Sequence, residues 1–321
     1  MLKDLIKNKE RGGYVIPVLN EAVILASKLD SMKRRRDCFH PSEVCGDFCP
    51  RAWIFGMHDK SLYLNGAPNV QTKWRFDVGS ALHTLVQERL SETGRLMGMW
   101  KCKRWCMEGR CMFYGFKPNA EQICPMNTPH KAKFEYAEFA VTDDELCLHG
   151  KTDGILWLDR GKTVFEFKTA NSRTFDSLVE PLDVHKEQVL LYLDTLRRQD
   201  IVFEQELLAM QEEGSDVHGL LQFVRMPYEG ATILYMNKDT QAMKEYWLDA
   251  STPFKMPAGI TVTHMDVDDE DDMIADKRAM LQQTLDWYRQ GVTPDRLKHC
   301  TTKGCSRAKK CFARDACFEE V

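Results

Sequence analysis

The stretch 149–170, HGKTDGILWLDRGKTVFEFKTA, constrains this chain more than any other. Two apolar, β-branched runs at 152–158 and 163–169 flank Asp159-Arg160-Gly161-Lys162, a pattern that predicts a β-hairpin. With Arg160 and Gly161 as the loop, Asp159 faces Lys162, Ile155 faces Glu166 and Asp153 faces Lys168. Alternation with period two then puts Asp153, Glu166 and Lys168 on one face. Two carboxylates placed diagonally across neighbouring strands can hold a hard divalent cation. A lysine beside that cation can orient or deprotonate a water, or steady the charge that builds on a phosphate. This is phosphodiester hydrolysis in outline, although a Glu-Phe-Lys triplet is also an ordinary solvated strand face over a buried Phe.

The flanks add to the pattern. Downstream, 183–198 reads DVHKEQVLLYLDTLRR, an amphipathic helix on which Gln188 and Tyr192 lie four apart and share a face. Upstream, 77–93 reads DVGSALHTLVQERLSET, a helix that carries His83 among Leu82, Leu85, Val86 and Leu90. In order, His83, Asp153 in GKTDG, Glu166-Phe167-Lys168 and Gln188 to Tyr192 resemble the motifs of the RecB-like branch of the PD-(D/E)xK nuclease superfamily. The resemblance implies that Asp153 and Glu166 ligate Mg or Mn with help from His83 and the backbone carbonyl of Phe167. It further implies that Lys168 positions the attacking water and that Gln188 and Tyr192 support the lysine and the DNA backbone.

Composition sets the bounds. The 321 residues can bury a large core as one domain or two. The chain lacks an eighteen-residue apolar run, and MLKDLIKNKERGG is not a signal peptide, so a cytoplasmic protein of a bacterial cell or phage-infected host is expected, with no membrane partner. A net charge of −4 leaves DNA contact to local basic patches such as Lys33 to Arg36, a run that also reads as a solvated face. In a reducing compartment, twelve cysteines argue for metal or cluster ligation over disulfides.

Those cysteines fall into sets. In 40–57, HPSEVCGDFCPRAWIFGM, Ser42 is the expected N-cap of a helix with Cys45 and Cys49 on one face. Cys49-Pro50-Arg51, with Trp53 and Phe55, resembles the first cysteine motif of superfamily members that carry an iron-sulfur cluster, the AddB-type and CRISPR-associated nucleases. The resemblance implies a [4Fe-4S] cluster on Cys49, Cys305, Cys311 and Cys317. Cys305 precedes Cys311 by five intervening residues where those relatives have two, so Cys300 is its alternate, as Cys45 is for Cys49. A tetrahedral zinc could clasp the same thiolates. The tail also carries Arg296, Lys298, Lys303, Arg307, Lys309, Lys310 and Arg314, readable as phosphate contacts or as solvated surface.

Cys102, Cys106, Cys111 and Cys124, with His130 as an alternate, read as a small structural zinc site or as unligated thiols. Cys38 and Cys147 read as thiols without a metal. Strands are expected at 133–141, 145–151, 217–225 and 231–238, and helices at 16–36, 240–248 and 266–290. Glu135 and Glu138 could lie near the cation, but alternation does not settle their faces. The acidic run 266–272 suits a helix N-terminus. A nucleotide-binding G-x-x-x-x-G-K-[ST] motif is absent, so an ATP-driven helicase would be a separate chain.

The expected architecture is an α/β, restriction-endonuclease-like core with a mixed central sheet flanked by helices. An N-terminal helical segment with the first cluster cysteine spans 1–60, the helix of the motif histidine 61–98, and a cysteine-rich zinc-type insert 99–130. The nuclease core then spans 131–265 and the C-terminal helix and cluster tail 266–321. The resemblance implies an Mg/Mn-dependent exonuclease acting on DNA with a free or single-stranded end in recombination, repair or replication, beside a helicase or recombination partner. An endonuclease of the same fold and a catalytically silent DNA-binding scaffold are the rival readings.

Overall fold

A computed structural model describes residues 15–66, 70–102, 112–118, 134–158, 161–248, 261–265 and 270–319. The chain divides into two units, one of Met1–Cys38, Cys49–Ala81 and Leu281–Val321, the other of Phe39–Phe48 and Leu82–Met280. In order, the helices and strands begin with α1 (Val15–Lys33), α2 (Pro41–Val44), α3 (Pro50–His58) and α4 (Val70–Glu92). Strands β1 (Leu96–Cys102), β2 (Met112–Phe116), β3 (Phe134–Ala137), β4 (Phe139–Asp143), β5 (Leu148–Thr152), β6 (Gly154–Leu158) and β7 (Gly161–Ala170) follow. Then come α5 (Ser172–Ser177), α6 (Asp183–Glu212), α7 (His218–Arg225), β8 (Tyr228–Asn237), β9 (Met243–Leu248), β10 (Thr261–Met265), α8 (Glu270–Arg289) and α9 (Arg314–Glu319). Among the described residues no helix is long and apolar enough to cross a membrane.

The larger unit is a mixed α/β structure. Its main sheet runs β10-β9-β8-β7-β6-β1-β2, with β3 also paired to β1, while β4 and β5 form a separate ribbon. The β7–β8 and β9–β10 pairs are parallel and the other pairs antiparallel. Period-two alternation gives β7 two working faces. Phe165 and Phe167 join Met236 in an apolar layer under Leu82, Val86 and Leu90 of α4. Glu166 and Lys168 point the opposite way, where Gln188 of α6 meets them. Arg278 of α8 ties this frame together through Asp143 of β4 at 2.6 Å and Asp194 of α6 at 3.1 Å.

The hairpin has a different register from the one its turn residues suggested. Ile155 pairs with Val164 rather than Glu166, and Leu158 pairs with Gly161. Gly161 is a strand residue, not a loop residue: a Cβ there would stand 2.5 Å from the Pro227 carbonyl oxygen, so glycine serves close packing between backbones. Lys162, expected to face Asp159, pairs with Trp157. The displacement is two residues, and an even slip leaves the paired side chains on their original faces, whereas Asp153, expected to face Lys168, lies outside the pairing between the two strands.

Other expectations also change. The 217–225 run is helix α7, whose Val217, Leu221 and Val224 pack on Leu207. A short apolar run does not distinguish strand from helix, and spacing of four and three prevails here. The 240–248 segment supplies strand β9, because pairing with β8 outweighs its helical composition. The single strand expected over 133–141 is two, broken at Glu138, and 145–151 becomes strand only from Leu148. Arg34 to Arg36 lie beyond the end of α1, with the Arg36 guanidinium 4.3 Å over the Tyr63 ring.

Cys45 and Cys49 do not share a helix. Cys45 is the C-cap of α2, Gly46 takes a left-handed φ of +70°, and Cys49 is the N-cap of α3. The α2 N-cap is His40, not Ser42. Nor is 99–130 wholly separate from the core. β1 and β2 belong to the main sheet, and buried Trp100 donates from Nε1 to the Gly115 carbonyl at 3.0 Å.

In the smaller unit, Ala52 and Phe55 of α3 pack with Ala313 and Cys317. Arg51 spans that core, donating to the Pro294 carbonyl at 2.9 Å and to Cys317 Sγ at 3.3 Å. Trp53 meets Tyr288 edge-on at 5.8 Å, and Tyr63 stacks on Phe312 at 4.4 Å.

Candidate active site and cysteine cavity

Asp153 sits where the chain leaves the β4–β5 ribbon and enters the main sheet, a break that no regular strand supplies. Thr152 secures the corner by donating from Oγ1 to the Phe165 carbonyl at 3.0 Å. The Asp153 carbonyl accepts from Gln87 Nε2 at 2.9 Å and from the Tyr136 hydroxyl at 3.0 Å. Its carboxylate is then aimed: Oδ2 accepts from the Phe167 amide at 2.7 Å, and Oδ1 lies 3.2 Å from His83 Nδ1. Burial pulls the His83 imidazole down, but its hydrogen bond to Asp153 and the charges of Asp153 and Glu166 leave its pKa raised.

Glu166 is the buried centre of the group, 3% exposed. Its Oε1 accepts from Lys168 Nζ at 2.7 Å and from Gln188 Nε2 at 3.1 Å. Lys168 also donates to Gln188 Oε1 at 3.0 Å, and Gln188 Nε2 reaches the Tyr192 hydroxyl at 3.1 Å. Glu166 Oε2 is buried without a hydrogen-bond partner. Burial first, and the Asp153 charge second, push the Glu166 carboxyl up to about 7. Burial likewise raises Tyr192, so its hydroxyl keeps its proton.

The sequence thus placed Asp153, Glu166, Lys168, Gln188, Tyr192 and His83 in separate motifs that the fold brings into one group. Gln87 and Tyr136 escaped that reading. Gln87 lies four residues after His83 on α4, and that spacing was the signal for it. Tyr136 had none, since only β3's pairing with β1 brings its hydroxyl to Asp153. Glu138, at the break between β3 and β4, is one of the two carboxylates, with Glu135, whose faces alternation left open. Burial, then the Asp153 charge, push its carboxyl up.

Among the described residues no three His, Cys, Asp or Glu side chains already surround a single-ion position. Asp153 gives its oxygens to His83 and Phe167. The orphaned Glu166 Oε2 is nevertheless the acceptor that a cation would satisfy, so this donor set fits a divalent metal.

In the smaller unit, Cys49, Cys300, Cys311 and Cys317 line one cavity, with Arg307 and Arg314 among its other walls. Cys305, the ligand that the resemblance implied with Cys300 as its alternate, is not among the lining residues. It lies 3.9 Å from Cys300 Sγ and accepts from the Ala308 amide at 3.3 Å, which lowers its thiol pKa. Burial raises Cys49 and Cys311, and burial with Cys305 beside it pushes Cys300 up to about 11. Buried sulfurs of this kind become thiolates when a cation shares them, and arginines in the wall offset the remaining charge. The Cys45 alternate belongs to the larger unit, where burial pushes its thiol up to about 12 near Lys277 and Glu187. Cys102 is buried at the end of β1, while Cys106, Cys111, Cys124 and His130 lie outside the described residues.

No family model and no curated protein matches this chain. A solved structure, "Crystal structure of SSO0001", aligns with 97% of this chain and 98% of its own at 13% identity and a TM-score of 0.38.

Proposed function

We propose that this chain is an Mg- or Mn-dependent deoxyribonuclease that hydrolyses phosphodiester bonds from DNA ends, serving recombination, repair or replication beside a helicase or recombination protein. The observation that carries the reading is the buried, unpartnered Glu166 Oε2 next to Asp153 and Lys168. Asp153 and Glu166 would hold the cation, with help from His83 and the backbone carbonyl of Phe167. When bound, the cation supplies charge against the phosphoryl oxygens and eases deprotonation of a water. Lys168 Nζ, steadied by Glu166 Oε1 and Gln188 Oε1, is the donor that would orient an attacking water toward phosphorus. Gln188 is itself braced by Tyr192. A bare phosphodiester hydrolyses so slowly that charge stabilisation and positioning are the main tasks of these residues.

Cys49, Cys300, Cys311 and Cys317 hold a [4Fe-4S] cluster that staples the smaller unit, and Cys102, Cys106, Cys111 and Cys124 hold a structural zinc. The deciding assay incubates the full chain and either metal with end-labelled single-stranded, duplex and covalently closed circular DNA. Loss of linear substrates with intact circles supports the exonuclease; cut circles favour the endonuclease. Absence of any cleavage overturns the catalytic reading.

A further inference from the structure

Lys168 has a neighbour on the side away from Asp153. β7 and β8 are parallel with Lys168 level with Tyr235, so both side chains leave the sheet on the face that carries Glu166. α6 crosses that face, and His185 lies three residues before Gln188, one turn along the same helix surface. His185 Nδ1 is 2.7 Å from the Tyr235 hydroxyl, which also accepts from the Leu182 amide at 3.2 Å.

This arrangement selects one tautomer. If Nδ1 carried the proton and donated, the phenolic hydrogen of buried Tyr235, whose oxygen already accepts from Leu182, would have no acceptor among the described residues, so that hydrogen points at Nδ1. Tyr235 is 1% exposed, and burial pushes its pKa up to about 12, so the hydrogen stays in place. Nδ1 is therefore an acceptor and the imidazole proton sits on Nε2. Burial, aided by the Lys168 charge, pulls His185 down to about 4 and keeps the ring neutral. His185 is only half-buried, and its Nε2 has no hydrogen-bond partner among the described residues.

We infer that His185 presents Nε2–H beside Lys168 as a neutral donor to a phosphate oxygen of the bound DNA strand, with Tyr235 as the positioning residue that holds the tautomer. The inference rests on the nuclease reading and extends it to the substrate. His83 and His185 then differ in kind. The first serves the carboxylates; the second serves the substrate, adding no charge that would compete with the cation.

Two measurements test this on the full metal-loaded chain. In 15N-edited spectra of the histidine rings, His185 should show an unprotonated Nδ1 and a protonated Nε2, and Tyr235→Phe should populate the other tautomer. A protonated Nδ1 in the unaltered protein overturns the inference whether or not DNA is cleaved. In cleavage of a short single-stranded oligonucleotide, His185→Leu should raise KM about tenfold or more with kcat nearly unchanged. His185→Gln, which returns an N–H donor near the Nε2 position, should recover most of that loss. Tyr235→Phe should raise KM in the unaltered background and add nothing to His185→Leu. If the unaltered protein cleaves while His185→Leu keeps its KM, or His185→Gln is as impaired as His185→Leu at equal thermal stability, this inference falls and the nuclease reading stands. If the unaltered protein cleaves nothing, the nuclease reading falls and takes this inference with it.

Discussion

At Glu166 a carboxylate is held in the fold at a cost that a bound cation would remove. Its folded pKa of about 7 lies above the 4.5 of an ordinary glutamate. Between those values the native metal-free protein binds more protons than the unfolded chain, so its stability falls as pH rises through that window. Magnesium should therefore raise the melting temperature more at pH 8 than at pH 5.5, and Glu166→Gln should flatten the difference. An equal magnesium effect at both pH values would remove Glu166 from the ligand set. Asp153→Ala, Glu166→Ala and Lys168→Ala should each lower kcat/KM by about a thousandfold or more, because they act as a unit. Gln188→Ala, which removes a brace of Lys168 and Glu166, and Tyr192→Phe, which acts through Gln188, should lose roughly ten- to a hundredfold. Steady-state kinetics with folded variants, checked by circular dichroism, measures both sets.

Strand β7 and helix α6 are joined by a buried ion pair outside the candidate site. Lys162 is fully buried, its Nζ bonded to Asp200 and 3.2 Å from the Val224 carbonyl, with the Tyr228 ring 4.3 Å away. Burial lowers Lys162 and raises Asp200, and each charge opposes the other's shift. Removing one partner strands a charge, so Lys162→Met should cost about 3–5 kcal/mol in urea unfolding. The double change Lys162→Met with Asp200→Leu should recover most of that loss, since neither charge is left behind. A double variant no more stable than the single would show that packing, not charge, joins these elements.

Over the whole molecule, the smaller unit draws on three separated chain segments, and four of its cysteines meet at one cavity. Anaerobically purified protein should be brown. Cys49→Ser, Cys300→Ser, Cys311→Ser and Cys317→Ser should each bleach it and lower its iron content, and the unit should melt earlier. Cys305→Ser should keep its colour. Bleaching by Cys305→Ser with colour retained in Cys300→Ser would reverse that choice of ligand. One zinc per chain should also be present, and zinc content that survives Cys102→Ser with Cys106→Ser would refute the second site.

What the sequence by itself determined is what local periodicity encodes. Alternation put Glu166 and Lys168 on one strand face whatever the hairpin register, because residues two apart on one strand always point the same way. A spacing of four set Gln188 beside Tyr192 on one turn of helix. The tertiary structure decided the rest, since those choices rest on contacts between residues far apart in the chain. Gly161 read as a turn until Pro227 packed against it, and 217–225 read as a strand until Leu207 offered it a helical partner. The spacing of the tail cysteines left Cys305 and Cys300 both open, and only the packing of 300–317 against α3 determines which sulfur faces the cavity. His185 and Tyr235 are fifty residues apart, and their hydrogen bond exists only because α6 lies across β8.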